Sequence, residues 1–405
     1  MATETVRLAY LVSHPIQYQA PLLRRIAAEP GIALKVFFCS SISTRAYRDE
    51  GFGTDVAWDV PLLDGYDHAF LPALDDPAGL GRIRPLNHGL ARALKQGRFD
   101  VLWVHGYMRL YHLASMALAH RRGMVVLNRD EAWERSAARG RLKAAIKEPF
   151  YAALRRICDG WLVIGSANRD YYLANGMRPE TVFPMPYAVD NHWFATRAAA
   201  AAATRESLRA ELGLAPGSPV VLYASKFMAR KRPDDLLEAY ARIARDPALR
   251  DPALVFVGDG ELRGSLERRT AELGLEHVRF AGFRNQRELP RFYDLCDVFV
   301  LPSALEPWGL AVNEAMNAAR AVVVSNEVGA AADLVRDGDN GFIFPAGNRD
   351  ALADSLRRIL ADPATTRQMG EQSRALIATW GFEQDVAGLK QALDRFAPRI
   401  AGKRR

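Results

Sequence analysis

The feature that most constrains this chain is an alternation of short apolar runs with helix-like segments along most of its length. In the first half the runs are RLAYLVS (Arg7 to Ser13), LKVFFCS, VLWVHG, MVVLN and WLVIG. Between most of them lie segments such as LLRRIAAE and LNHGLARALKQG, with apolar residues at helical spacing. Strands separated by helices read as βα units and predict a parallel sheet covered by helices on both faces. After PMPYAVDNHWF comes the alanine-rich stretch ATRAAAAAATRESLRAELGLAPGSP, which has the composition of a helical connector. A second series follows it: VVLYASK, LVFVGDG, VRFAGF, VFVLPS and AVVVSN. The chain therefore reads as α/β, two successive doubly wound units, with ligands expected beyond the carboxyl ends of the strands and in a cleft between the units. The stretch from Thr44 to Pro77 is less regular, and this pattern assigns it no element.

A length of 405 residues suits two domains. No apolar run approaches the ~20 residues that span a bilayer. The opening MATETVRLAYLVSH has no signal-peptide pattern. Cys39, Cys158 and Cys296 lie far apart in sequence, which argues against a disulfide framework or a clustered zinc site. A cytoplasmic protein is expected. The net charge is +7, of which residues 1–190 carry +5, from 24 Lys and Arg against 19 Asp and Glu. A basic half favours anionic partners such as nucleotides, phospholipid surfaces or nucleic acid, or is simply a mildly basic surface.

Arg135 to Arg156 holds seven basic residues and one acid, with Leu142, Ile146, Phe150 and Leu154 recurring every four positions. Burial of that face against the first sheet is the simpler reading. Docking of a basic surface on an anionic membrane, as for a lipid acceptor, is the alternative. No base-stacking aromatics are interleaved there, so nucleic acid is not expected.

Several motifs could carry chemistry. VGDGELRG places Gly258, Gly260 and Gly264 between a strand and a helix, but its third glycine comes one residue late for a dinucleotide fingerprint. The acidic residue such a site needs at the end of the next strand, VRFAGF, is also missing, so a dehydrogenase is not expected. In RDGDNG, Asp337 and Asp339 have a metal-binding spacing, yet the dense turn residues predict a solvated turn and no metal. KFMARKRP concentrates Lys226, Arg230, Lys231 and Arg232 after a strand, either as a solvated basic loop or as cations that suit a diphosphate leaving group. In SALEPWGLAVNEAM, Pro307 and Gly309 turn the chain before a helix. That puts Glu306 in the loop and Glu314 about 7 Å inside the helix. Between the two carboxylates lie the amides of a helix N-terminus, a ready anion site. The order of sugar, diphosphate and ribose in a nucleotide sugar matches this layout.

These motifs together resemble retaining glycosyltransferases of the GT-B fold, in the large glycosyltransferase family 4. EPWGLAVNE matches the family's E-x7-E element, and SKFMARKRP, VGDGELR, FAGFRNQRELPRFY and GAAADLVRDGDNGFIFPAGN match further elements in the family's order. SHPIQYQAPLLRRIA, YYLANG and PYAVD look like family elements of the first half. The resemblance implies a GT-B fold with two Rossmann-like domains facing an interdomain cleft. Residues 1–192 would bind the acceptor, 193–216 would connect, and 217–380 would bind the donor, with the C-terminal helix 381–400 returning to the first domain.

The resemblance also implies roles. Glu306, Lys226 and Lys231 would be catalytic, with Glu306 on the donor sugar and both lysines on the diphosphate. Glu314 would hold the ribose, the amides of Gly309, Leu310 and Ala311 the diphosphate, and Gly258 the turn beside it. Phe283 and Arg284 would contact the base. Acceptor candidates at strand ends of the first unit are His14, Gln17, Tyr18, His105, Tyr107, Arg129 and Asp130. Most of the family has Arg where Lys226 stands. His14 to Tyr18 replaces a glycine-rich loop, and Asn128 to Asp130 stands where many members have a histidine. The implied activity is retaining transfer of a sugar from a nucleotide diphosphate donor to the hydroxyl of a glycan, a lipid-linked acceptor or a small natural product, with no cofactor and no metal. A nucleotide-sugar epimerase of the same fold, or a non-catalytic nucleotide-sugar-binding partner subunit, is the alternative.

Overall fold

The computed structural model describes residues 5–133 and 141–404, with side chains described outside residues 141–146. The chain divides into two compact units, one of Met1–Tyr47, Val60–Tyr187 and Phe382–Arg405, the other of Arg48–Asp59 and Ala188–Gly381.

Strands β1 (Val6–Val12) and β2 (Ile32–Phe38) open the first unit, and β3 (Tyr47–Asp49) and β4 (Thr54–Val56) form a small sheet of their own. Then come β5 (Asp67–Phe70), β6 (Val101–His105), β7 (Val125–Arg129), β8 (Gly160–Val163) and β9 (Val182–Pro184). Among the described residues the main sheet has the order β5-β2-β1-β6-β7-β8-β9, paired in parallel. Leu8, Tyr10, Val101 and Trp103 enter one core cluster, and Ala9, Leu11, Leu102 and Val104 enter another. Burial on both faces is why these strands read as continuous apolar runs.

The second unit holds β10 (Val220–Ala224), β11 (Ala253–Val257), β12 (Val278–Gly282), β13 (Val298–Leu301), β14 (Ala321–Ser325) and β15 (Gly341–Phe344). Their order is β12-β11-β10-β13-β14-β15, again parallel. Each sheet reverses its strand order once, between β1 and β6 and between β10 and β13. Such switch points open a crevice at the strand C-termini.

The chain end belongs with the first unit through the helix Phe382–Arg395. A Cβ on Gly388 would lie 1.6 Å from the Pro184 carbonyl oxygen, so only glycine lets this helix approach β9. Beside it, Arg129 Nη2 donates to Asp385 at 2.8 Å and to the carbonyls of Met185 (2.8 Å) and Pro186 (2.9 Å).

The alanine-rich stretch is not a free connector. Its helices Asn191–Ala201 and Arg205–Glu211 belong to the second unit, where Arg205 donates twice to Asp294, at 2.9 and 2.5 Å. The first unit accordingly stops at Tyr187 rather than 192, and residues 48–59 count with the second. In the helix Arg141–Ile157, Leu154 is buried and Phe150 packs 5.7 Å from Tyr107. Leu142, Ile146 and most of the basic residues of Arg135 to Arg156 lie outside the described side chains, and so does the membrane docking expected there. No helix among the described residues is long and apolar enough to cross a membrane.

The Arg129–Asp385 pair is almost fully buried, at 2% and 0% side-chain exposure. Removing one charge strands the other in the interior. Asp385→Asn should lower stability in urea denaturation by about 3–5 kcal/mol, and Arg129→Met with Asp385→Leu should lose less than either single change.

Candidate donor and acceptor sites

In the second unit the loops after β10 and β13 meet at the switch point. The Arg230 carbonyl accepts from the Ala304 amide at 2.8 Å, and the Arg230 guanidinium donates to the Leu305 carbonyl at 3.2 Å. This stitching brings Lys231, from the first loop, onto the carboxylate of Glu306, from the second, as an ion pair with each side chain only 11% exposed. The Glu306 backbone is fixed as well, its amide donating to Glu327 O and its carbonyl accepting from Gly329 N. Two catalytic candidates 75 positions apart in sequence are thereby joined.

Glu306 stands in the loop and Glu314 in the helix Leu310–Asn317, as the Pro and Gly between them predict. Gly309 precedes the helix at φ +98°, a conformation that L side chains rarely adopt, and a Cβ there would meet Leu301 at 2.8 Å. Trp308 anchors this corner, donating to Asn313 Oδ1 at 2.9 Å and stacking on Trp380 at 5.5 Å. Gly309, Leu310 and Ala311 thus hold their amides on a rigid first turn, the end of a helix that favours anions. Glu314 accepts a 2.6 Å hydrogen bond from the Tyr293 hydroxyl. Burial pushes its carboxyl up to about 7, against the lowering effect of that bond.

The glycine-rich turn after β11 packs on the loop of Lys226. A Cβ on Gly258 (φ +132°) would sit 2.0 Å from Ser225 O, and Phe227 N donates to Asp259 O at 2.8 Å. Phe283 and Arg284 follow β12. Phe283 meets the ring of Phe52 edge-on at 4.8 Å, and the Arg284 guanidinium donates to Ala281 O at 3.0 Å and Glu288 at 3.2 Å. Lys226 is held by Asp49 at 2.7 Å. Asp337, in the expected solvated turn, accepts from the Ile343 amide at 2.9 Å.

In the first unit, His14 follows β1 and His105 ends β6, the two strands flanking its switch point. Burial pushes His14 down to about 4, with Arg109 adding to it. Burial likewise pushes His105 down to about 3, with Arg129, His112 and His14 adding to it. Both imidazoles are therefore neutral at physiological pH. His105 Nε2 lies 3.2 Å from the Tyr187 hydroxyl, which donates to Glu131 at 3.0 Å, and Gln19 approaches the same ring at 3.2 Å. Tyr18 packs on Tyr187 at 5.7 Å, and Gln17 is half-buried beside it in sequence.

Three acceptor candidates are corrected by their surroundings. Arg129 is spent on Asp385 and two carbonyls in the interior. The Tyr107 hydroxyl, on a residue 4% exposed, bonds that of Tyr151 at 2.7 Å. Asp130 is buried with its carboxyl raised by that burial, and accepts from Ala132 N at 3.0 Å. A strand end supplies side chains to either face, and these three turn inward. Gln19, Glu131, Tyr187, Tyr293 and Asp49 are the residues that sequence reasoning missed. Gln19, Tyr187 and Tyr293 had a signal, since they lie within SHPIQYQAPLLRRIA, PYAVD and FAGFRNQRELPRFY.

The high Glu314 pKa has a consequence for stability. Its folded value, about 7, exceeds the ordinary 4.5, so the native state holds this proton more tightly than the unfolded chain does. The contribution is complete below the unfolded value and is lost as pH rises through 7. Between pH 5 and 8, wild type should lose up to about 3 kcal/mol more than Glu314→Gln, measured by urea unfolding at each pH.

Residues 204–376 match the family model described as "Glycosyl transferases group 1". The chain is 33% identical over 209 residues to a D-inositol 3-phosphate glycosyltransferase of Streptomyces bingchenggensis, covering 50% of this chain and 45% of that protein. It is 33% identical to the alpha-D-kanosaminyltransferase of Streptomyces kanamyceticus, over 44% of this chain and 45% of that protein. These matches thus span less than half the length of each relative. A longer alignment, to a D-inositol 3-phosphate glycosyltransferase of Nocardiopsis dassonvillei, covers 91% of this chain and 86% of that one at 28% identity. Among solved structures, Anabaena HepE in complex with UDP and glucose superposes with a TM-score of 0.71 at 18% identity, over 96% of this chain and 99% of that one. A glycosyltransferase from Rickettsia africae gives a TM-score of 0.74 at 12% identity, over 97% and 99%. The match to the glycosyl transferases group 1 model thus falls in the second unit, and the chain has the GT-B fold.

Proposed function

We propose that the chain is a retaining glycosyltransferase that moves a sugar from a nucleotide diphosphate sugar to an acceptor hydroxyl. The observation that carries this reading is the Lys231–Glu306 pair, set at the switch point of the second unit beside the first-turn amides of the helix Leu310–Asn317. A lysine, a carboxylate and a helix N-terminus at one crevice suit a ligand that is anionic at one end and hydroxylated at the other. The names of similar proteins support the same chemistry: HepE was solved with UDP and glucose, and one relative from Mycolicibacterium smegmatis is named a GDP-mannose-dependent mannosyltransferase.

In this mechanism Glu306 orients the hydroxyls of the donor sugar and Glu314 the ribose. The helix amides, Lys231 and Lys226 stabilise the charge that develops on the departing diphosphate, so no metal is required. The acceptor hydroxyl attacks the face from which the diphosphate leaves, and a donor phosphate oxygen takes its proton. The acceptor is assigned to the first unit, where His14, Gln17, Tyr18 and His105 stand near the β1/β6 switch point. A neutral His105 there can accept or donate one hydrogen bond without placing a charge beside the incoming hydroxyl.

The test is a thermal-shift panel of UDP, GDP, ADP, CMP and dTDP, with and without EDTA. One diphosphate should stabilise the protein by about 2.7 kcal/mol at a hundredfold excess over its Kd. The effect should survive EDTA and shrink in Glu314→Ala. Proton NMR of the product made from the matching nucleotide sugar should show the donor's anomeric configuration retained. A flat panel would remove the donor-site assignment. An inverted anomer, or a covalent glycosyl-enzyme trapped by rapid quench, would remove the mechanism.

A further inference from the structure

The irregular stretch after β2 contains a turn that sits on three donor-site segments at once. Asp49 shapes it: its Oδ1 accepts from the amides of Gly51 (2.9 Å) and Phe52 (3.0 Å), and its carbonyl accepts from Gly53 at 2.8 Å. The same carboxylate takes the Lys226 ammonium with both oxygens, at 2.7 and 3.0 Å. Phe52 lies under that ammonium, 4.6 Å from Nζ to the ring centre, and its edge contacts Phe283. The fit is close. A Cβ on Gly51 would come within 2.6 Å of the Lys226 side chain, and one on Gly260 within 2.9 Å of the Gly51 carbonyl. Further on, the Ala57 carbonyl accepts from Asn285 at 2.5 Å, and Asp59 accepts from the Arg287 amide at 3.1 Å.

Lys226, the glycine turn and the segment from Phe283 are the parts of this unit assigned to diphosphate and base. As the structure stands, the charge of Lys226 is committed to Asp49. Burial alone would raise the Asp49 carboxyl, but the Lys226 bond and the turn amides outweigh it, so the group stays ionised. A carboxylate and a diphosphate cannot both neutralise one ammonium without repelling each other. A lysine already paired offers little to a leaving group that gathers negative charge.

We propose that the turn Asp49–Gly53 is a latch on the donor site, in which Asp49 holds Lys226 until a donor diphosphate displaces the carboxylate and takes the lysine. The latch rests on the reading of Lys226 as a diphosphate ligand. It makes Asp49 a positioning residue that opposes donor binding, with Phe52 holding the turn in place through Lys226 and Phe283.

Asp49→Asn keeps an oxygen for the turn amides and removes the charge. By isothermal titration with UDP and GDP, this variant should bind its nucleotide more tightly than wild type, by up to about fivefold, the upper end for a partly exposed ion pair. Phe52→Ala should tighten binding in the same direction. Lys226→Ala should weaken it, and adding Asp49→Asn to Lys226→Ala should change nothing more. Weaker or unchanged binding in Asp49→Asn, alongside weakening in Lys226→Ala, would overturn the latch and leave the donor site standing. Binding that ignores Lys226→Ala, or no binding by wild type and Asp49→Asn alike, would overturn the donor-site reading and the latch with it.

Discussion

The contact on which the chemistry proposed for the second unit depends is the buried pair of Lys231 and Glu306. Neither charge would be tolerated alone at 11% exposure, because desolvation of an unpaired ammonium or carboxylate costs several kcal/mol. Pairing meets that cost only if both loops are held still. The structure does so with the Arg230 bonds to Ala304 and Leu305 and with the isolated bridge between Glu306 and Val328. The pair therefore ties the strand order of the sheet to the geometry of the crevice, since β10 and β13 must be neighbours for the two loops to meet.

The two units use their buried charges differently. In the second, Lys231 and Glu306 pair on the loops after β10 and β13, and Glu314 stands in the helix Leu310–Asn317. In the first, Arg129 and Asp385 lock the returning helix Phe382–Arg395 onto β9. A charged residue at the end of a strand is thus no sure sign of a ligand. What separates the cases is where its donors end: on Asp385 and two backbone carbonyls for Arg129, and on the partner catalytic candidate for Lys231.

The first unit's polar cluster has a different character. His105, Tyr187, Glu131 and Gln19 form a connected set around a neutral imidazole. Burial keeps that ring uncharged, so it can exchange hydrogen bonds across physiological pH without changing state. Only His105 among these was singled out beforehand, because it ends an apolar strand. Its partners come from a helix, a loop and a segment more than 80 positions away.

Sequence by itself determined the two βα series, the placement of Glu306 before a helix and Glu314 within it, and the lysines after β10. These follow from local rules: the apolar period, the need for glycine at Gly309, and the charge pattern of one loop. Tertiary structure alone decided that Lys231 closes on Glu306, that Arg129, Tyr107 and Asp130 turn inward, and that the unassigned stretch delivers Asp49 to Lys226. Each of those outcomes depends on which strand lies beside which and on which face a side chain takes. Neither is read from a window of neighbouring residues: Lys231 meets Glu306 across 75 positions, and Asp49 meets Lys226 across 177.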